Sequence, residues 1–149
     1  MTRRAVDTNV LIYAHLVSFP EHARVKQYLQ ALLSDPESVL VVTPIILHEL
    51  VHVVTDGRRF DEPVKIEEAL ALARLYLNRT NVECLDVGAS SLERALALME
   101  RYGLGRKRIA DTLLVATLLD HGVNELVTCN ESDFAVFDGL TVINPISTT

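Results

Sequence analysis

Four acidic residues in this chain stand where carboxylates can work together: Asp7, Glu49, Asp111 and Asp133. Asp7 ends a short apolar stretch, Arg4-Ala5-Val6, and Asp133 follows another, Leu126-Val127-Thr128. Glu49 lies in the second turn of a helix that follows a strand. Asp111 lies in the first turn of a helix that leads into one. Open α/β sheets bind ligands at the carboxyl ends of their strands, so these positions share one rim. Taken singly, each has a plain structural explanation. Asp7 can cap the next helix, Asp111 can favour a helix dipole, Asp133 can stabilise a turn and Glu49 can be solvated. Taken together they form a crowded anionic cluster, which must take up protons or be neutralised by a cation. An all-oxygen donor set suits a hard divalent ion, Mg²⁺ or Mn²⁺. Such an ion activates water and stabilises charge on a phosphoryl group, so the expected chemistry is phosphodiester hydrolysis.

A competing chemistry overlaps one of these acids. Residues 48–52 read HELVH, the H-E-x-x-H pattern in which two histidines on one helix face hold zinc and the glutamate activates water. Catalytic zinc needs a third protein ligand. Thr55 stands where the extended pattern has glycine, and no histidine follows until His121. A helical wheel puts Ile46, Leu47, Leu50, Val51, Val53 and Val54 on one arc and His48, His52, Thr55 and Asp56 on the opposite one. Glu49 falls on the seam between them. A zinc metallopeptidase built on His48, Glu49 and His52 is therefore the alternative reading, with the histidines otherwise incidental.

The elements that must position these groups alternate between strand and helix. A strand at 4–6 leads to helices over 9–16 and from Pro20 to Leu33. Val39–Val42 reads as a strand buried on both faces. Thr43 and Pro44 supply an N-cap and first turn for the HELVH helix, which Asp56-Gly57 ends. A helix over Val64–Leu77 is apolar on several sides. A strand at 82–85, a helix from Ala89 to Tyr102 stopped by Gly103, an apolar helix over 109–119 and strands at 126–128 and 140–143 complete the pattern. This alternation predicts one α/β domain spanning residues 1–149, with a mostly parallel sheet.

The composition is that of a globular domain, 49% apolar and 23% charged. No apolar run spans a bilayer. Asp7, Thr8 and Asn9 interrupt the N-terminal apolar run, which does not suit a signal peptide and points to the cytoplasm. The two cysteines, Cys84 and Cys129, are far apart and read as small buried residues in strands. The net charge of −6 does not suit a non-specific DNA coat. Locally, Arg106, Lys107 and Arg108 form a basic run just before Asp111.

Several stretches resemble one known family in order. Val6-Asp7-Thr8-Asn9-Val10-Leu11 is similar to the opening of PIN-domain ribonucleases, especially VapC-type toxins of toxin–antitoxin pairs. TPIILHEL resembles the segment carrying that family's glutamate. IADTLLVA resembles its D-x-x-x-A segment, LVTCNESDF its T-x-N/D…D-F segment, and GLTVINP its last strand. The resemblance implies a Rossmann-like three-layer sandwich with four or five strands. It implies a Mg²⁺- or Mn²⁺-dependent ribonuclease with Asp7 and Asp111 as metal ligands. Glu49 would help orient water, Asn130 and Asp133 would form the fourth corner, and Thr8, Asn9 and Thr128 would support the site. Many members carry an acid where Asn130 stands. The implied partners are RNA, held by Arg106, Lys107 and Arg108, a co-encoded antitoxin and a second copy of the chain, with Val64–Leu77 as a candidate contact. Two rival classes are a receiver-like phospho-accepting domain and a PIN-like protein that only binds RNA or antitoxin. The first lacks its paired N-terminal acids and late lysine here.

Overall fold

Thr2–Val6 forms the first strand, β1, whose last two residues, Ala5 and Val6, are removed from solvent. Asp7 ends it by accepting a hydrogen bond from Thr8 N at 2.8 Å, an N-cap that starts α1 (Thr8–His15). α2 (His22–Ser34) buries Val25, Leu29 and Leu32 at helical spacing. β2 (Ser38–Val42) is buried except at Val39, as its unbroken apolar run requires of a central strand. Thr43 then caps α3 (Pro44–Val54), its hydroxyl accepting from Ile46 N at 3.2 Å. Pro44 occupies the first turn, where no amide hydrogen is needed. The chain continues through α4 (Ile66–Asn78), β3 (Val82–Cys84) and α5 (Ala89–Tyr102). A 3-10 turn (Arg106–Arg108), α6 (Ile109–Asp120), β4 (Glu125–Val127), α7 (Glu131–Phe134) and β5 (Thr141–Ile143) follow. This computed structural model describes residues 1–147.

The five strands form one sheet in the order β3-β2-β1-β4-β5, with every neighbouring pair parallel. β1 is central, its Ala5 registered against Val41 on one side and Leu126 on the other. The strand order runs outward from β1 through β2 and β3, then resumes on the opposite side at β4. The reversal opens a crevice beyond the carboxyl ends of β1 and β4, where such sheets bind ligands. Asp7 and Thr128 are the first residues past those two ends.

α6 explains itself by composition. It is apolar almost all round, as a helix enclosed on all sides should be. Leu114, Val115, Ala116 and Leu118 are buried, together with Thr112 and Thr117. The two buried hydroxyls return to the helix's own preceding turn, Thr112 Oγ1 to Arg108 O at 2.7 Å and Thr117 Oγ1 to Leu113 O at 2.8 Å. Gly103 ends α5 with φ 63°, a left-handed cap that lets Leu104 N reach Met99 O at 2.9 Å.

Four expectations shift. The helix expected from Val64 begins at Ile66, because Lys65 is extended and Val64 N bonds back to Val54 O at 2.9 Å. The expected turn around Asp133 winds into α7, and the basic run winds into the 3-10 turn. Neither cysteine is fully buried: Cys84 lies on edge strand β3, and Cys129 falls just outside β4. Among the described residues, no helix is long and apolar enough to cross a membrane.

Candidate active site

The crevice is organised around Asp7. One carboxylate oxygen, Oδ1, caps α1. The other, Oδ2, accepts from Thr128 Oγ1 at 2.9 Å and from Asn9 Nδ2 at 3.3 Å. The neighbours that hold Asp7 are held in turn. Asn9 Oδ1 accepts from Cys129 N at 3.2 Å, and Thr128 Oγ1 accepts from Asn130 N at 3.1 Å. This network ties the turn after β1 to the turn after β4, and Thr128 within it is wholly buried. Thr8, Asn9 and Thr128, expected as supports, all contact the acids.

Glu49 arrives from α3. Its helix buries Ile46, Leu47, Leu50 and Val54, leaving His48 and His52 exposed and Glu49 partly buried between the two faces. Thr8 Oγ1 donates to Glu49 Oε2 at 3.0 Å, linking α1 to α3. Glu49 thus turns toward Asp7, away from the two histidines. Among the described residues, no three His, Cys, Asp or Glu side chains converge closely enough to cage an ion with protein atoms alone. The zinc-peptidase geometry, two histidines and a third protein ligand, is not assembled.

Asp111 faces the cluster from the first turn of α6. Burial pushes its carboxyl up to about 6. Repulsion from Asp7 and Asp133 adds to the rise, Arg108 opposes it, and Glu49 adds a little more. Asp7 is raised too, chiefly by burial. The hydrogen bonds from Thr128 and Thr8 pull it back, while Glu49 and Asp133 push it up. The four acids expected from the sequence therefore feel one another's charge, although they come from four separate segments.

The remaining expected residues divide. Asp133, on α7, couples electrostatically to both Asp7 and Asp111. Asn130 is exposed, and its backbone makes its links to the cluster, N–H donating to Thr128 Oγ1 and C=O accepting from Asp133 N, each at 3.1 Å. Asp133 supplies the fourth charge felt at Asp7 and Asp111. Arg106 and Lys107 are exposed, whereas Arg108 folds inward. Its Nε lies 3.8 Å from Asp111 Oδ2, and its other guanidinium end donates to the carbonyl of Asp133. The sequence grouped Arg108 with its neighbours as a phosphate-holding charge. Its spacing of three from Asp111 on a helical turn was the available signal that it pairs with that acid instead. A cleft of about 50 Å³ opens between α3 and α6, lined in part by Glu49, Asp111, Thr43 and Ala110.

The donor chemistry fits a hard divalent cation. Every candidate ligand is a carboxylate oxygen, and the mutual repulsion marks a deficit of positive charge that Arg108 offsets only in part. Mg²⁺ needs few protein ligands, because it keeps several waters and takes one or two carboxylates. Cys129 offers no alternative nucleophile. Burial, then Glu21 and Asp7, push its thiol up to about 12, so it stays protonated.

A family model described as a PIN domain matches residues 4–140. Ribonuclease VapC33 of Mycobacterium tuberculosis is 26% identical over 140 residues, covering 94% of this chain and 96% of its own. Ribonuclease VapC24 of the same organism is 26% identical over 143 residues, covering 96% and 97%. Among solved structures, a toxin–antitoxin complex from Klebsiella pneumoniae contains a chain 25% identical, with a TM-score of 0.61 over 95% of this chain and 97% of that one. VapBC2 from Rickettsia felis, bound to a DNA fragment from its promoter, matches with a TM-score of 0.65 at 21% identity, covering 96% and 98%.

Proposed function

The chain belongs to the PIN-domain family, and from that premise we propose that it is a metal-dependent endoribonuclease acting as the toxin of a toxin–antitoxin pair. The observation that carries the reading is the mutual repulsion of Asp7, Glu49, Asp111 and Asp133, acids from four separate segments at the sheet's crevice, which helps drive Asp111 up to about 6. The two full-length relatives named as VapC ribonucleases support the same activity.

Asp7 and Asp111 would hold a divalent cation, Mg²⁺ or Mn²⁺, which when bound supplies the positive charge that stabilises a phosphoryl group in transit. The chain's own residues do the rest. Asp7 is fixed by Thr8, Asn9 and Thr128, so its carboxylate needs little reorganisation on ligand binding. Glu49 commits Oε2 to Thr8 and leaves Oε1 to orient a water and accept its proton. That water adds to phosphorus as one P–O ester bond breaks, and the leaving oxygen takes a proton. Asp133 extends the acidic rim. Arg106 and Lys107, exposed beside the cleft, hold flanking RNA phosphates.

The proposed protein partners are an antitoxin, by analogy with the Klebsiella complex, and a second copy of the chain. α4 gives such partners a surface, since Ile66, Leu70, Leu75 and Leu77 are exposed on it. The decisive experiment is chelation followed by metal addition. RNA cleavage should vanish in EDTA, return with Mg²⁺ or Mn²⁺, and stay absent with Zn²⁺. Cleavage that persists in EDTA, or that only zinc restores, contradicts the reading.

A further inference from the structure

The HELVH segment carries two groups that the acid cluster does not use. His48 and His52 are exposed on α3. Their rings lie parallel within 5°, with centroids 6.3 Å apart. The chain's three other histidines are committed. His15 Nε2 meets Tyr76 Oη at 2.6 Å, His22 Nδ1 meets Tyr13 O at 2.8 Å, and His121 Nδ1 meets Thr117 O at 2.9 Å. Among the described residues, the side chain of neither His48 nor His52 has a hydrogen-bond or ion-pair partner, so their ring nitrogens are unclaimed.

Residues four apart on a helix bring their side chains together on one face. Here the two side chains are alike, two imidazoles already side by side. The glutamate between them, on the seam of the helix, is drawn instead to Thr8 on α1. Imidazole nitrogen prefers Zn²⁺, Ni²⁺ and Cu²⁺ to Mg²⁺, the reverse of the carboxylate cluster's preference. We propose that His48 and His52 form a second metal site, a two-imidazole chelate on the exposed face of α3 for Cu²⁺, Ni²⁺ or Zn²⁺, with water in the remaining positions. Two protein ligands make it exchangeable, unlike a four-ligand structural zinc site or a three-ligand catalytic one. Occupancy cross-links one turn of α3 and stabilises the fold by mass action. One helix thereby presents two metal chemistries, an oxygen donor toward the crevice and nitrogen donors toward solvent.

Calorimetry and thermal melting of the untagged full chain test this, with CuCl₂, NiCl₂, ZnCl₂ and MgCl₂ as probes. Expected is a site binding one ion per chain, tightest for Cu²⁺ and indifferent to Mg²⁺. His48→Ala and His52→Ala should each weaken it about tenfold or more, because the second ligand then no longer acts intramolecularly. Asp7→Asn with Asp111→Asn should leave it intact. Equal affinity after either histidine substitution overturns the proposal, as does loss of the binding in the double aspartate variant. Absence of binding for all three transition ions does so too.

Discussion

Asp7 and Asp111 approach the same crevice from opposite sides, and they are held in different ways. Asp7 accepts hydrogen bonds from a backbone amide, a buried threonine hydroxyl and a side-chain amide, and two of those partners are themselves anchored. Among the described residues, the Asp111 carboxylate meets one polar side chain, that of Arg108 at 3.8 Å, a distance too long for a hydrogen bond. Both carboxyls are raised by burial, but only Asp7 is pulled back by hydrogen bonds, from Thr128 and Thr8. The β1–β4 corner is a preorganised support, whereas the α6 corner is a charge awaiting compensation. In such a pair, the geometry is set by one partner and the demand for a cation by the other.

The largest expected effect tests what the two share. Asp7→Asn and Asp111→Asn should each lower RNA cleavage on the order of 10³-fold, since several kcal/mol of charge stabilisation depends on the bound ion. Full activity in either variant, in a single-turnover cleavage assay, removes that residue from the site.

Next comes the support that Asp7 has and Asp111 lacks. Thr128→Val deletes a hydroxyl that donates to Asp7 and accepts from Asn130 N. Cation affinity or cleavage should fall about 10- to 100-fold, the usual effect of losing a group that orients a ligand. Thr112→Val, beside Asp111, deletes a hydroxyl bonded only to its own helix turn, and it should change cleavage far less. If the two substitutions prove equal, the contrast between the corners is wrong.

A smaller effect appears in stability without metal. In EDTA, Asp111→Asn removes a repelled charge and should raise the melting temperature by about 2–4 °C, as expected for roughly 1 kcal/mol in a domain of this size. Asp7→Asn also disturbs hydrogen bonds that stabilise the folded chain and should gain less. Differential scanning calorimetry of the two variants decides the order.

The pH dependence of the same melt reads the same charge a second way. Asp111 titrates near 3.8 when unfolded and at about 6 when folded. Between those values the folded chain binds more protons than the unfolded one, so stability falls as pH rises through that window. The metal-free wild type should therefore lose stability between pH 4 and about 6 relative to Asp111→Asn. Parallel curves for the two proteins would place the titration elsewhere.

Much of this protein was readable along the chain, because local physics wrote it there. The unbroken apolar run at Val39–Val42, the Thr43-Pro44 start of α3, and Gly103 at the end of α5 each follow from the conformational preferences of a few adjacent residues. The places of Asp7 after β1 and of Asp111 at the start of α6 were likewise legible, since element ends announce themselves by a change in hydrophobic pattern. What the sequence left open is which neighbours meet. Glu49 and its flanking histidines sit in one five-residue motif that suggests a shared metal. Only the packing of α1 against α3, with Thr8 reaching Glu49, separates them. Asn130 and Asp133 were equal candidates until α7 formed and brought one charge toward Asp7 and Asp111. Arg108 looked like its two basic neighbours until the 3-10 turn carried it inward to Asp111. Local preference fixes an element and its exposed face. The partner of a polar side chain depends on contacts between residues far apart in the chain, and these exist only once the sheet and its helices have closed around the crevice.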